Sequence, residues 1–277
     1  MTPTDSKAPT DVAAVAAEAL AALDAGRQIA PFSSRLAAFD FDDAYRVTAA
    51  VRRMREARGE KVVGRKIGFT NRTIWAEYNV HGPIWGYVYD RTVHDLAEIG
   101  DTFSLAALAE PRIEPEIIFR LAVAPTPGMD ESALLACVDW VAHGFEIVQS
   151  IFPGWQFSAP DTVAAFGLHG ALLIGPRHPI AAQTENWRRT LSTFEIDLVR
   201  DGAVVDHGRA ANVLGGTLSA LRHLIDLLAR DRTNPPLAAG EIVTTGTLTR
   251  ALAVSAGETW TTELDGIALD GIRVHFS

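Results

Sequence analysis

The chain has 277 residues, 48% hydrophobic and 21% charged, which is enough apolar material to bury a full core and too much for a disordered chain. Its formal net charge of −9 argues against nucleic acid as a partner, because neutralising phosphates takes clustered Lys and Arg. No stretch reaches the roughly 18 uncharged apolar residues of a membrane span, and the N-terminus lacks an apolar signal core, so no membrane partner is expected and a cytoplasmic protein is the default.

Residues 1–10 read as a disordered tail. Val12, Val15, Ala16, Ala19, Leu20 and Leu23 then recur at helical spacing as far as Gly26. A second helix is expected from the acidic cluster Asp40, Asp42 and Asp43, through Tyr45, Val47, Val51 and Met54, to Gly59. Its arginines, Arg52, Arg53, Arg55 and Arg58, read as a solvated face. Residues 29–34 form a loop between the two helices.

After Lys61 the period changes to two. Val62 to Thr70 reads as a strand with Gly64, Lys66, Gly68 and Thr70 on one face and Val63, Arg65, Ile67 and Phe69 on the other. Two readings of this strand stand side by side: Lys66 projects into a cavity left open by the glycines, or the strand is bulged and the lysine faces solvent. Trp75, Tyr78, Trp85 and Tyr87 read as core or subunit contact, with Trp85 the best candidate for a pocket wall.

Residues 113–121 are strand-like, and within them Glu114 and Glu116, two apart, point to the same side. Like charges that close either face water or share a cation. Pro115 lacks an N–H, which argues against a regular central strand throughout. A helix is expected over 130–143, capped by Asp130 with Leu134, Val138 and Val141 inward, and the single cysteine, Cys137, reads as an inert buried thiol within it. Glu146 follows in the short apolar strand 144–148, where a lone charge is costly to bury without a partner. Three carboxylates without Cys or paired His at ligand spacing select a hard cation, Mg²⁺ or Mn²⁺.

Further strands are expected at 171–174, 194–201, 242–246 and 272–276. A helix opens at Thr217, with Leu218, Leu221, Leu224, Ile225 and Leu228 on its apolar face, and is ended by Asn234-Pro235-Pro236. Helices come first and strands dominate later without regular alternation, which points to an α+β architecture.

Four segments together are recognisable: Gly64-Arg65-Lys66-Ile67-Gly68-Phe69-Thr70, Pro111-Arg112-Ile113-Glu114-Pro115-Glu116, Phe145-Glu146-Ile147-Val148 and Thr245-Gly246-Thr247-Leu248-Thr249. The chain, from about Val12 to Phe276, resembles the 2-oxopent-4-enoate hydratase and 4-oxalocrotonate decarboxylase family of the fumarylacetoacetate hydrolase superfamily. The resemblance implies a helical region over 11–60 and a mixed β-roll catalytic domain over 61–277. It implies a divalent metal on Glu114, Glu116 and Glu146 and a catalytic role for Lys66; His169 is a further catalytic candidate, and Thr70, Ile84, Trp85, Ser150, Phe166 and Thr247 are the candidate substrate residues. The resemblance also implies a small 2-oxo or 2-hydroxydienoic acid substrate, as in aromatic-compound catabolism, a homo-oligomer, and a partner pathway enzyme in some members.

Departures from the family pattern bear on the chemistry. Hydratases usually carry Pro-Asp-Phe-Gly where this chain has Pro83-Ile84-Trp85-Gly86, and decarboxylases carry an Ile there; Pro111-Arg112, in contrast, resembles the hydratase version. Asp-Ser-Arg is replaced by Gln149-Ser150-Ile151, Gly-His-Pro by Gly215-Gly216-Thr217, and the stretch usually reading Ala-Asp-Asn-Ala-Ser contains Ala164, Ala165, Phe166 and Gly167, with His169 nearby. A different or more apolar substrate tail is expected. His169 is either a replacement acid or base or a structural histidine. His81 and His143 are candidates to line the pocket, and the other histidines read as surface or packing residues. The leading function is a metal-dependent lyase. A hydrolase of a carbon–carbon bond in a diketo acid and a non-catalytic 2-oxo-acid-binding subunit are the alternatives.

Overall fold

The structure is a computed structural model that describes residues 10–78, 80–181 and 183–277; residues 1–9 of the expected tail lie outside the described residues. Thr10, the first described, donates its hydroxyl to Asp43 at 2.6 Å. The two expected N-terminal helices are α1 (Val12–Asp24) and α2 (Phe41–Ala57), capped by Asp11 and Asp40, whose carboxylates accept from Ala14 and Asp43 N–H. On α2 the solvated-face reading fails for Arg55. That guanidinium is buried, pairs with Glu60 and lies 3.8 Å from the centre of the Tyr89 ring, where cation–π attraction and the ion pair compensate for lost water.

The strands in chain order are β1 (Val62–Gly68), β2 (Ile84–Tyr89), β3 (Val93–Asp95), β4 (Thr102–Phe103), β5 (Arg112–Leu121), β6 (Val138–Val148), β7 (His169–Pro179), β8 (Glu195–Arg200), β9 (Ala203–Arg209), β10 (Ile242–Thr244), β11 (Leu252–Ala253), β12 (Thr259–Asp265) and β13 (Arg273–Phe276). Between them lie α3 (Trp75–Tyr78), α4 (Glu131–Ala136), α5 (Ala159–Ala164), α6 (Thr184–Thr190) and α7 (Thr217–Arg230). The larger sheet runs β2-β1-β10-β5-β6-β7-β3, with β11 also pairing to β5, and the smaller runs β4-β13-β12-β8-β9. This is the expected α+β class, and no helix among the described residues is long and apolar enough to cross a membrane.

The helix expected over 130–143 is only half present. Asp130 does cap α4, but the chain leaves the helix at Cys137, and residues 138–148 form β6, paired with β5 on one side and β7 on the other. β-Branched Val138 and Val141, with Trp140, favour the pleated surface, and burial on both faces hides the period-two signal behind a nearly continuous apolar run.

Pro115 is accommodated in a central strand. Its carbonyl accepts from Leu248 N–H, so the edge on which its own N–H is missing faces the 245–251 segment, where β10 has ended and β11 has not begun. The opposite edge of β5 pairs with β6 without a break from Arg112 to Arg120.

Alternation along β5 separates two environments. Ile117 and Phe119 point to the core formed with Leu134, Leu221 and Leu224 of α4 and α7, and Ile113 points to Trp260 and Val274 of the smaller sheet. Ile118 faces the other way and joins Val88 of β2 and Leu172 of β7 in one buried cluster. Lys66 of β1 reaches Glu146 of β6, three places away in the sheet order, so the sheet curls into a roll, with Glu114 and Glu116 on its inner face toward one end. Helices α1, α2 and α5 pack around Ile84, Val148, Ile151 and Phe152 at that end, forming a second apolar cluster.

Gly86 on β2 pairs with Lys66, and a Cβ there would lie 2.5 Å from the Phe166 carbonyl oxygen. Gly86→Ala is expected to destabilise the protein by about 1–3 kcal/mol, the cost of overpacking against backbone. Urea denaturation measures it, and an unchanged midpoint would mean that the 166–167 turn moves aside freely.

Candidate active site

The carboxylate pair of β5 meets the third carboxylate directly, since Glu114 pairs with Glu146 in the β5–β6 ladder and Glu116 pairs with Gly144. The three glutamates each offer an oxygen, and these oxygens all lie within 4.8 Å of one another. Like charges opposite each other in a ladder repel, and burial weakens the screening that water would supply. Burial pushes the Glu114 carboxyl up to about 7, against the pull of Lys66 and with added repulsion from Glu146. Burial and repulsion from Glu146 and Glu114 also push Glu116 well above the usual carboxylate range. Burial acts on Glu146 in the same direction, but Lys66 and the His169 hydrogen bond outweigh it and hold this group low.

The remaining polar partners leave specific atoms unmet. Gly246 N–H donates to Glu116 Oε2 at 2.7 Å, and His169 Nδ1 lies 2.8 Å from Glu146 Oε1. Glu116 Oε1 and Glu146 Oε2 are buried without a hydrogen bond, Glu146 Oε2 having the ion-pair contact with Lys66 Nζ at 3.3 Å. Two oxygens without a hydrogen bond beside a third carboxylate, all hard donors, fit a divalent cation of the Mg²⁺ type better than a softer metal. Gly246 has φ +91, and a Cβ would fall 1.8 Å from Thr70 Oγ1, so only glycine lets this backbone N–H approach Glu116.

Lys66 belongs to the interior and not to solvent. Its Nζ donates to the Gly167 carbonyl at 2.9 Å, and its side chain is only 3% exposed. Burial alone would pull its ammonium down, but the charges of Glu146, Glu114 and Glu116 outweigh that and hold it above the ordinary lysine value. The two flanking glycines divide their work. A Cβ at Gly64 would sit 2.1 Å from the Ile242 carbonyl oxygen, so that glycine admits β10, whereas Gly68 lies beside Lys66 Nζ and lines the pocket. The pocket itself lies against Lys66, Glu114 and Thr247, with mostly apolar walls from Phe69, Ile84, Leu168 and Trp155.

A 2-hydroxyhexa-2,4-dienoate hydratase from Comamonas testosteroni is 31% identical over 255 residues, covering 91% of this chain and 93% of the relative. The chain belongs to the 2-oxopent-4-enoate hydratase and 4-oxalocrotonate decarboxylase family. A 4-oxalocrotonate decarboxylase of this family, from Pseudomonas sp. strain CF600, is 33% identical over 82% of this chain and 83% of its own length. The solved 4-oxalocrotonate decarboxylase of Pseudomonas putida G7, complexed with magnesium and adipate, has a TM-score of 0.86 at 27% identity, covering 98% of this chain and all of that one. For the fold alone, a fumarylacetoacetate isomerase/hydrolase protein from Oleispira antarctica, at 13% identity, and the fumarylpyruvate hydrolase of Pseudomonas aeruginosa, at 16%, superpose with TM-scores of 0.55 and 0.51. No protein-family model matches the chain.

The family-derived substrate residues are not all brought to the pocket. Ile84 and Thr247 line it, the latter donating its hydroxyl to the Thr249 carbonyl. Thr70 sits one step back, donating to the Thr245 carbonyl. Trp85 is a correction: being adjacent to Ile84 in a strand, it points to the opposite face, where it stacks on Tyr45 with ring centres 5.2 Å apart. Ser150 is corrected too, because its hydroxyl is fully buried and donates to the Phe152 carbonyl. The Phe166 side chain turns into a separate cleft with Thr48 and Val51.

His143 is buried away from the pocket, its Nδ1 donating to the Glu116 carbonyl and its Nε2 meeting the Thr262 hydroxyl; burial pulls it down to about 4, which keeps the ring neutral. His169 likewise lies behind Glu146, outside the pocket lining. Sequence reasoning missed Gly167, whose carbonyl holds Lys66, and the walls Leu168 and Trp155. The signal for Gly167 was a glycine in a stretch where the family usually has alanine.

Proposed function

We propose that this protein is a divalent-metal-dependent lyase, a hydratase or decarboxylase, acting on a small 2-oxo or 2-hydroxydienoic acid. Glu114, Glu116 and Glu146 serve as ligands for Mg²⁺, with Mn²⁺ a competent substitute. The observation that carries the reading is the cluster of three carboxylates, Glu114 with the buried Glu116 and Glu146, in which Glu116 Oε1 has no hydrogen bond and Glu146 Oε2 has only the ion-pair contact with the buried Lys66 ammonium. The activities named for the hydratase and decarboxylase relatives, and the magnesium complex of the Pseudomonas putida G7 enzyme, support it.

When bound, the ion supplies the positive charge that lets the keto and carboxylate oxygens of a 2-oxo acid chelate and that favours enolisation. The chain's own residues do the rest. Lys66, protonated in its field of carboxylates, presents Nζ as a proton donor or as a countercharge to the substrate carboxylate. Phe69, Ile84 and Leu168 exclude water from the tail region and favour an uncharged, apolar substituent. Self-association into a homo-oligomer is part of the same proposal, and sedimentation velocity reads it.

The deciding experiment follows the ultraviolet band of a 2-hydroxydienoate with and without Mg²⁺. Hydration bleaches the conjugated band without gas, and decarboxylation of a 4-oxalocrotonate releases CO₂. Metal-dependent turnover of neither substrate would overturn the reading. A second expected outcome concerns stability: Mg²⁺ at 100 times its Kd should add about 2.7 kcal/mol to the metal-free protein. Differential scanning calorimetry with EDTA and then excess Mg²⁺ measures it, and a transition temperature insensitive to the ion would argue that the glutamates hold none.

A further inference from the structure

We infer that His169 is the positioning residue of the third carboxylate, with Thr92 as its anchor, and that it takes no part in proton transfer to substrate. The inference rests on the three-glutamate metal site proposed above and assigns a role to a histidine that stands where the family pattern departs.

The geometry is that of a relay of contacts ending at a ligand. His169 opens β7 opposite Val148, which lies two residues beyond Glu146 on β6. Its Nδ1 is 2.8 Å from Glu146 Oε1 and, facing a carboxylate, donates to it. Its Nε2 is 2.8 Å from the hydroxyl of Thr92, whose one proton is shared between that nitrogen and the Tyr89 carbonyl at 3.0 Å. Thr92 immediately precedes β3, and β3 pairs in parallel with β7, so the anchor is carried by the strand next to the histidine's own.

Two consequences follow. A carboxylate with one oxygen committed to a fixed donor cannot rotate, so Oε2 is directed to the side shared with Glu114, Glu116 and Lys66. The ring is also occupied at both nitrogens, only 3% exposed, and outside the pocket lining. A general acid or base needs a nitrogen within reach of the substrate proton, directly or through one water. His169 offers none.

Hydrogen-bond partners of metal ligands orient those ligands, and their loss typically costs about 10–100-fold in metal affinity. The test titrates metal-free protein with Mn²⁺ and reads the free ion by electron paramagnetic resonance, with thermal unfolding of each metal-free variant as the control for folding. His169→Leu should weaken Mn²⁺ binding about 10–100-fold. His169→Asn, whose amide N–H stands near the place of Nδ1–H, should recover most of that loss. Thr92→Val removes the anchor and keeps its shape, and should weaken binding by a smaller factor; it decides the matter if His169→Leu does not fold. Wild-type affinity in both His169→Leu and Thr92→Val would overturn the inference. So would a His169→Asn protein that binds Mn²⁺ normally but has lost turnover, because that result returns the histidine to proton transfer. Absence of Mn²⁺ binding by the wild type is a different failure, that of the metal site itself.

Discussion

Glu116→Gln should make the metal-free protein more stable and at the same time abolish its response to Mg²⁺. In the metal-free state Glu116 is fully buried between two other carboxylates, and burial with their repulsion holds it far above its ordinary value. An amide in its place keeps an oxygen for the Gly246 N–H and turns an NH₂ group toward Glu114 and Glu146, converting repulsion into hydrogen bonding. The gain should grow as pH rises, because ionising Glu116 brings in a repulsion that the amide never has, and it should reach the order of 1–3 kcal/mol where the carboxyl is ionised. A neutral amide is a poor ligand for a hard cation, so Mn²⁺ affinity should fall by more than the roughly 100-fold that loss of a ligand's supporting hydrogen bond can cost. Calorimetry and Mn²⁺ titration on the same sample give both numbers. A variant less stable than the wild type in EDTA would mean that the three carboxylates are not in conflict, and the metal argument would lose its physical basis.

What the sequence made legible, and what it hid, follows from how each signal is carried. Helices α1 and α2 were readable because they lie at the surface, where one face is apolar and the other polar, and their caps stand at the expected aspartates. The Glu114 and Glu116 pair was readable because two-residue spacing in a strand needs no tertiary information. The boundary at Cys137 was hidden: β6 is buried on both faces, so its alternation is masked and its first valines extend the pattern of α4. The irregularity at Pro115 was legible from its missing N–H, whereas the 245–251 segment that lies against that gap could not be read from the sequence. Trp85 and Ile84 were both expected at the pocket, although alternation within β2 sends the two side chains to opposite faces. The role of His169 could not be read at all, because Thr92 and Glu146 reach it only through the strand order of the folded roll.

Lys66→Met is the variant in which catalysis, metal binding and stability should separate. The ammonium lies 3.3 Å from Glu146 Oε2, an oxygen of the proposed ion site, so lysine and metal would draw on the same negative charge. Without metal, the wild-type lysine is the nearest compensation for the glutamate cluster, and removing one member of such a buried pair typically costs about 3–5 kcal/mol. With Mg²⁺ bound the ion supplies that compensation, so most of the deficit should disappear and the ion should bind at least as tightly as in the wild type. Turnover should nevertheless fall about 10²–10⁴-fold, the usual contribution of a positioned proton donor or base, because methionine fills the space and carries no proton. Denaturation with and without Mg²⁺, Mn²⁺ titration and the ultraviolet assay together test the three parts. Wild-type turnover in Lys66→Met would remove the lysine from the reaction and leave it as a counter-ion, whereas lost metal affinity would show that Lys66 helps to build the ion site instead of competing for its charge.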